Sequence, residues 1–135
     1  MAQIARGSFS VEMAALAEAV AADGVGLGRN SLHKRFDGDL IAVGNGEMLT
    51  ALTPIPGSAG YVAIERVIGS LHGRNGSFVL QHSGTMDRGA QLLAISVVPG
   101  SGTGALAGIS GTFTLRIADG KHFYELEYVL PQGAA

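Results

Sequence analysis

Apolar side chains return at every second position over much of this chain, the period of a strand with one buried and one wet face. Residues 4–11 alternate around Phe9 and Val11 and predict a first strand. Residues 26–36 predict a second, with Leu32, Lys34 and Phe36 on one face and Ser31, His33 and Arg35 on the other. Residues 40–52 predict a third, which carries Gly44 and Gly46. Glycine weakens a strand unless the strand bends or another group comes close, so a bulge or barrel corner is expected there. Two β-branched runs flank Gly73-Arg74-Asn75-Gly76, a hairpin signal that predicts strands four and five. Residues 91–98, 110–117 and 122–130 complete the set. In the last of these, His122, Tyr124, Leu126, Tyr128 and Leu130 oppose Phe123, Glu125, Glu127 and Val129, and the two glutamates mark the water side.

One stretch breaks the period. Residues 13–22 are mostly alanine and leucine, strong helix formers, and Asp23-Gly24 supplies a stop. A short helix is expected there, or else a loop laid across one end of the sheet. Asp37-Gly38-Asp39, Asp87-Arg88-Gly89 and Asp119-Gly120 are tight-turn signals, because these residues tolerate the backbone angles of short hairpin loops. Residues 53–60 and 99–104 form longer loops, residues 105–109 suit a helical turn, and residues 131–135 read as a frayed tail.

About eight strands joined by short turns leave no room for crossover helices, so the expected order is antiparallel and up-and-down. Closing such a sheet removes its edges and leaves an interior for side chains or one small ligand. The expectation is therefore an all-β fold, a single closed antiparallel barrel spanning 1–135 as one domain. An open sandwich is the alternative.

Composition narrows the functional classes. The formal net charge is -2 and no basic run occurs, which argues against nucleic acid as a partner. No stretch reaches the roughly 20 apolar residues of a membrane-spanning helix. Cysteine is absent, which removes disulfides, thiolate nucleophiles and cysteine metal sites together and fits a cytoplasmic protein. The four histidines, His33, His72, His82 and His122, show no local metal-ligand spacing, and no metal is expected. Glycines at 24, 26 and 28 and at 100, 102 and 104 imitate phosphate-loop composition. Neither group is followed by Lys-Ser/Thr in a strand-to-helix setting, so both read as turns and no cofactor is expected.

Six polar residues are candidates for chemistry. Glu65 sits mid-strand between Ile64 and Arg66 and is either exposed or buried and paired. Inside a barrel its pKa would rise, and it could move a proton or hold a ligand hydroxyl. Gln81 and His82 occupy opposite faces of their strand, and both faces begin apolar and turn polar, so the pattern does not choose between them. With a four-residue loop, Glu65 would lie level with residues 82–86 across the hairpin. Glu65 and His82 are the catalytic candidates. Lys34, Gln81, Tyr124 and Tyr128 are the ligand-binding candidates; for the tyrosines, ordinary aromatic packing is the competing reading.

The segments Gly60-Tyr-Val-Ala-Ile-Glu-Arg-Val67, Gly76-Ser-Phe-Val-Leu-Gln-His-Ser-Gly-Thr-Met86 and Val98-Pro-Gly-Ser-Gly-Thr-Gly104 resemble domain-of-unknown-function family 3224. So do Leu106-Ala-Gly-Ile-Ser-Gly111 and Asp119-Gly-Lys-His122 with Tyr124-Glu-Leu-Glu-Tyr128. The resemblance runs from about residue 32 to residue 130. It implies an eight-stranded barrel related in shape to plant allene oxide cyclase, and it implies no activity. It also implies a tryptophan between the first two strands, which this chain lacks. Three functions follow as expectations: a barrel that binds a small apolar molecule, an isomerase or cyclase of the same shape, or a structural oligomerisation module. Apolar residues on both strand faces further suggest a homo-oligomer, a dimer in the simplest case.

Overall fold

The computed structural model describes residues 2–131, the side chains of residues 17–20 excepted. Its strands are β1 (Gln3–Ala22), β2 (Val25–Gly38), β3 (Leu40–Leu52), β4 (Ala59–Leu71), β5 (Arg74–Asp87), β6 (Ala90–Val97), β7 (Thr103–Gly104), β8 (Ser110–Ala118) and β9 (Lys121–Val129). Strands β1 to β6 pair in chain order, β6 pairs with β8, β8 with β9, and β9 returns to β1. Every pairing is antiparallel, so eight strands close the barrel. The two-residue β7 lies beside β5 outside that ring. The expected closed barrel is the observed fold.

Four two-residue turns set the register. At Asp23-Gly24, His72-Gly73, Arg88-Gly89 and Asp119-Gly120 both residues have positive φ, between 47° and 90°. That backbone matches the right-handed twist of the strands it joins, and glycine in second place adopts it without a Cβ penalty.

Two of these turns correct the sequence-based expectations. Asp23-Gly24 does not end a helix: residues 13–22 continue β1 and pair with β2 as far as Ala22 opposite Val25. Pairing along β2 overrides the helical preference of alanine, and the irregular stretch is absorbed by register shifts between Ala15 and Ala17 and between Ala17 and Val20. The central hairpin turns at His72-Gly73, two residues rather than the four of 73–76, so Glu65 pairs with Leu80 and His82 with Ala63.

Two smaller expectations also change. Of the bulge or barrel corner expected at Gly44 and Gly46, the bulge is absent, since β3 pairs without interruption to both neighbours. A Cβ on Gly46 would lie 2.0 Å from the Ile64 carbonyl oxygen, and one on Gly44 would lie 2.6 Å from Glu65 Oε2. Close approach, rather than a bulge, is the reason for both glycines. Residues 105–109 form successive turns, with Leu106 N–H donating to the Thr103 carbonyl at 2.9 Å and Ile109 N–H to that of Leu106 at 3.1 Å. Of the tail expected to fray, residues 132–135 lie outside the described residues.

The interior divides along the barrel axis. At one end, Leu40, Leu71, Leu126 and Tyr128 are fully buried, and the loop after β6 folds Leu106 and Ile109 over them. Above them Phe36, Phe113 and Tyr124 pack ring against ring, with Phe36 edge-on to both partners and Phe113 stacked on Tyr124 at 5.6 Å. Phe9 lies 5.6 Å from Phe36 and closes the top of this plug. Buried aromatic and aliphatic groups of this size each contribute about 1.5–3 kcal/mol, so this half holds the fold together. The other end is open.

Candidate functional site

The open half contains a cavity of about 390 Å³. Its walls are apolar: Leu32 and Met48 from β2 and β3, Met86 and Leu93 from β5 and β6, and Leu115 and Ile117 from β8. Phe9, Lys34 and His82 lie at its inner end, against the aromatic plug. Strand alternation puts these residues inside, because Lys34 shares a face with Leu32 and Phe36, and His82 with Phe78 and Leu80.

Beneath the cavity a charged cluster is buried. Glu65 is wholly inaccessible, Lys34 5% exposed and His82 3% exposed. Lys34 Nζ donates to Glu65 Oε1 at 2.9 Å, and His82 Nε2 approaches the same oxygen at 2.6 Å. Lys34 Nζ also stands 5.1 Å from the centre of the Phe9 ring, a cation–π contact. Burial alone would push the Glu65 carboxyl up, but the hydrogen bond from His82 and the charge and hydrogen bond of Lys34 outweigh it. Its pKa therefore lies below the usual carboxylate range, and the rise expected for an interior glutamate is reversed by its partners.

An ionised carboxylate has no proton to give, so His82 Nε2 carries the hydrogen of that bond, and in the neutral form of the ring the lone pair is then on Nδ1. Among the described residues Nδ1 has no hydrogen-bond partner. Glu65 thus fixes the tautomer and orientation of an imidazole whose other nitrogen is available to the cavity. Glu65 Oε2 is buried without a partner and lies against Gly44.

The six candidates separate cleanly. Glu65, His82 and Lys34 come together, whereas Gln81 projects from the outer face, exposed, between Ile64 and Ser96 on the neighbouring strands. Tyr124 and Tyr128 point inward but toward the closed end. The Tyr124 hydroxyl donates to the Asp37 carbonyl at 2.9 Å and accepts from Leu40 N–H at 2.9 Å. The Tyr128 hydroxyl is bonded to His72 Nδ1 and Gln3 Oε1. Neither tyrosine lines the cavity.

Sequence reasoning missed Tyr61, Thr50 and His122, which do line it. Tyr61 shares the strand phase of Ala63 and Glu65, and that parity was the available signal. Burial, and secondarily the negative charge of Glu65, push the Tyr61 phenol up, so it stays a neutral O–H group at the cavity wall.

Two other features compete less well as sites. A groove of about 620 Å³ runs past Arg6, Ser8, Arg116 and Glu125 on the outer wall, and it contains none of the three cluster residues. Arg6 and Glu125 already pair there at 2.9 Å. Among the described residues no group of three His, Cys, Asp or Glu side chains is placed to hold a metal ion.

The model of a protein family of unknown function, DUF3224, matches residues 5–128. The chain belongs to the DUF3224 family. A crystal structure of a DUF3224 protein of unknown function from Shewanella oneidensis MR-1 is 47% identical, with a TM-score of 0.93 over 98% of this chain and 100% of that one. No curated protein matches. These likenesses establish family and fold and carry no activity; the likeness in shape to allene oxide cyclase rests on the sequence resemblance alone. Among the described residues no helix is long and apolar enough to cross a membrane.

Proposed function

We propose that this DUF3224 protein binds a small apolar molecule in the open half of its barrel, with the molecule's polar end at Lys34 and His82. One observation carries the reading: an apolar-walled cavity of about 390 Å³ ends on two polar groups fixed by a buried carboxylate. That volume falls within the range of natural small-molecule sites, and a few convergent polar groups in an apolar cleft are their usual lining. Native mass spectrometry of protein purified without detergent tests it. A bound apolar compound is expected, and Thr50→Trp, which fills the cavity, is expected to remove it. Failure of any apolar compound to bind, in that experiment and in a screen of lipids and polyketides, overturns the reading.

A second reading, an isomerase or cyclase, draws support from the Glu65–His82 pair. A base oriented by a carboxylate, beside a cationic donor and in a cavity that limits water, is the arrangement proton transfer requires. Glu65→Gln is then expected to lose turnover while ligand affinity is retained.

We also propose that a second copy of the chain covers the outer wall of β3 and β4. Ile41, Leu49, Val62, Ile64 and Ile68 are half or more exposed there, in adjacent rows where Leu49 pairs with Val62 and Val43 with Ile68. Sedimentation of a dimer at micromolar concentration, converted to monomer by Ile64→Lys, is expected; a wild-type monomer overturns it.

A further inference from the structure

The cavity carries an imbalance of charge-bearing groups. Three bases line it, Lys34, His82 and His122, and among the described residues no aspartate or glutamate does. Glu65 lies beneath the lining and engages both Lys34 and His82 through a single oxygen. Two bases thus share one acid. With His82 neutral, Lys34 and Glu65 cancel. With His82 protonated, the cluster holds one uncompensated positive charge beside an apolar cavity, which is costly. A ligand that brings one negative charge restores neutrality.

We propose that the ligand is an apolar monocarboxylic acid whose carboxyl rests between Lys34 and His82, and that it binds with uptake of one proton at His82 Nδ1. This rests on the binding reading above and names its ligand class. One carboxyl oxygen accepts from the Lys34 N–H groups that Glu65 does not use, and the other accepts from the newly protonated Nδ1. The remaining groups around His82 fit. Tyr61 on β4 is a neutral phenol, Ile95 and Leu93 on β6 are apolar, and His122 on β9 packs on Phe9 at 5.1 Å, at the cavity wall. A neutral alcohol or ester leaves the cluster neutral as it stands and brings no charge for a protonated His82 to pair with, so it gains no ion pair, and that difference sets the selectivity.

Calorimetric titration of the intact protein with decanoic acid, decan-1-ol and methyl decanoate, in buffers of differing ionisation enthalpy, tests the proposal. At pH 8 the acid is expected to bind at least about tenfold tighter than the other two and to take up close to one proton. Its affinity should then fall about tenfold per pH unit above that, as one-proton linkage requires. His82→Gln keeps an N–H donor for Glu65 and removes the titrating nitrogen, so both the preference and the proton uptake should vanish. If that variant does not fold, the wild-type selectivity and proton count decide alone. Equal or tighter binding of the alcohol or ester overturns the carboxyl assignment and leaves the cavity reading standing. Acid binding without proton uptake overturns the role of His82. Failure of all three to bind overturns this proposal, and only a failed wider screen would overturn the binding reading as well.

Discussion

The two ends of the barrel are built from the same strands and treat their polar groups in opposite ways. At the closed end Tyr124 and Tyr128 reach into the interior, and each hydroxyl is satisfied locally, by backbone at Asp37 and Leu40 or by His72 and Gln3. Leu106 and Ile109 cover that end from the loop after β6. At the open end Lys34 and His82 are as deeply buried, yet both keep hydrogen-bonding capacity directed at a cavity. A polar group needed only for folding has its bonds completed within the chain. One left incomplete beside a cavity is set for something that arrives later.

That contrast breaks most sharply at the charged cluster. Lys34→Met removes one partner of a buried ion pair and leaves Glu65 ionised in an apolar setting, which costs about 3–5 kcal/mol. Combining it with Glu65→Gln removes the orphaned charge and should restore a large part of the loss, read as the denaturant midpoint. If the single and double variants are equally destabilised, the pair is not electrostatically coupled. At the closed end Leu106→Ala should cost a comparable amount, about 2–5 kcal/mol, by opening a void under the loop. There the loss is all packing, so ligand affinity in the opposite half should stay within twofold of wild type. A larger change would mean that the two halves are not independent.

Strand parity made the faces of several strands legible in the sequence, but not the division into two ends, and Tyr124 and Tyr128 are inward-facing candidates that lie at the closed one. Lys34 falls on one face with Leu32 and Phe36 by alternation alone, whereas the sequence left Glu65 either exposed or buried and paired, and the closed barrel places it inside. The level of Glu65 against its neighbour strand was not legible. It depends on where the turn is centred, and a turn at His72-Gly73 in place of 73–76 sets Glu65 opposite Leu80 instead of level with residues 82–86. The shift is an even number of residues, which moves the level along the strand and leaves the face unaltered, so Glu65 and His82 still meet. The face of Gln81 and His82 was hidden for another reason: each face of β5 mixes apolar and polar residues, and only closure of the barrel decides which is inside. Residues 13–22 were misread because propensity is local, whereas the turn at Asp23-Gly24 and the pairing to β2 are what hold that segment extended.

Acid should sharpen the comparison at smaller cost. The Glu65 carboxyl is held below its ordinary value, so the unfolded chain binds its proton more readily than the folded one. The stability it contributes is fully present above the unfolded value of about 4.3 and is lost as pH falls through the lower folded value. Denaturation followed below about pH 4.3 should therefore show a steeper decline for wild type than for Glu65→Gln. Parallel acid limbs would mean that the carboxyl is not stabilised in its ionised form.

The smallest expected effect is the most direct check on which residues face the cavity. Gln81 and His82 are neighbours in the chain, yet Gln81 is exposed on the outer wall while His82 is 3% exposed against Glu65. Gln81→Ala deletes an exposed side chain and should change stability by no more than about 0.5 kcal/mol, with ligand affinity unchanged. His82→Ala, one position along, deletes a donor to a buried carboxylate and opens space in the cavity floor, so it should be clearly destabilising and should alter binding. The two changes remove side chains of similar size from the same strand, and only the face distinguishes them. Reversed effects, with Gln81→Ala the costlier change, would mean that β5 is out of phase by one residue, which would turn every interior residue of that strand to the solvent.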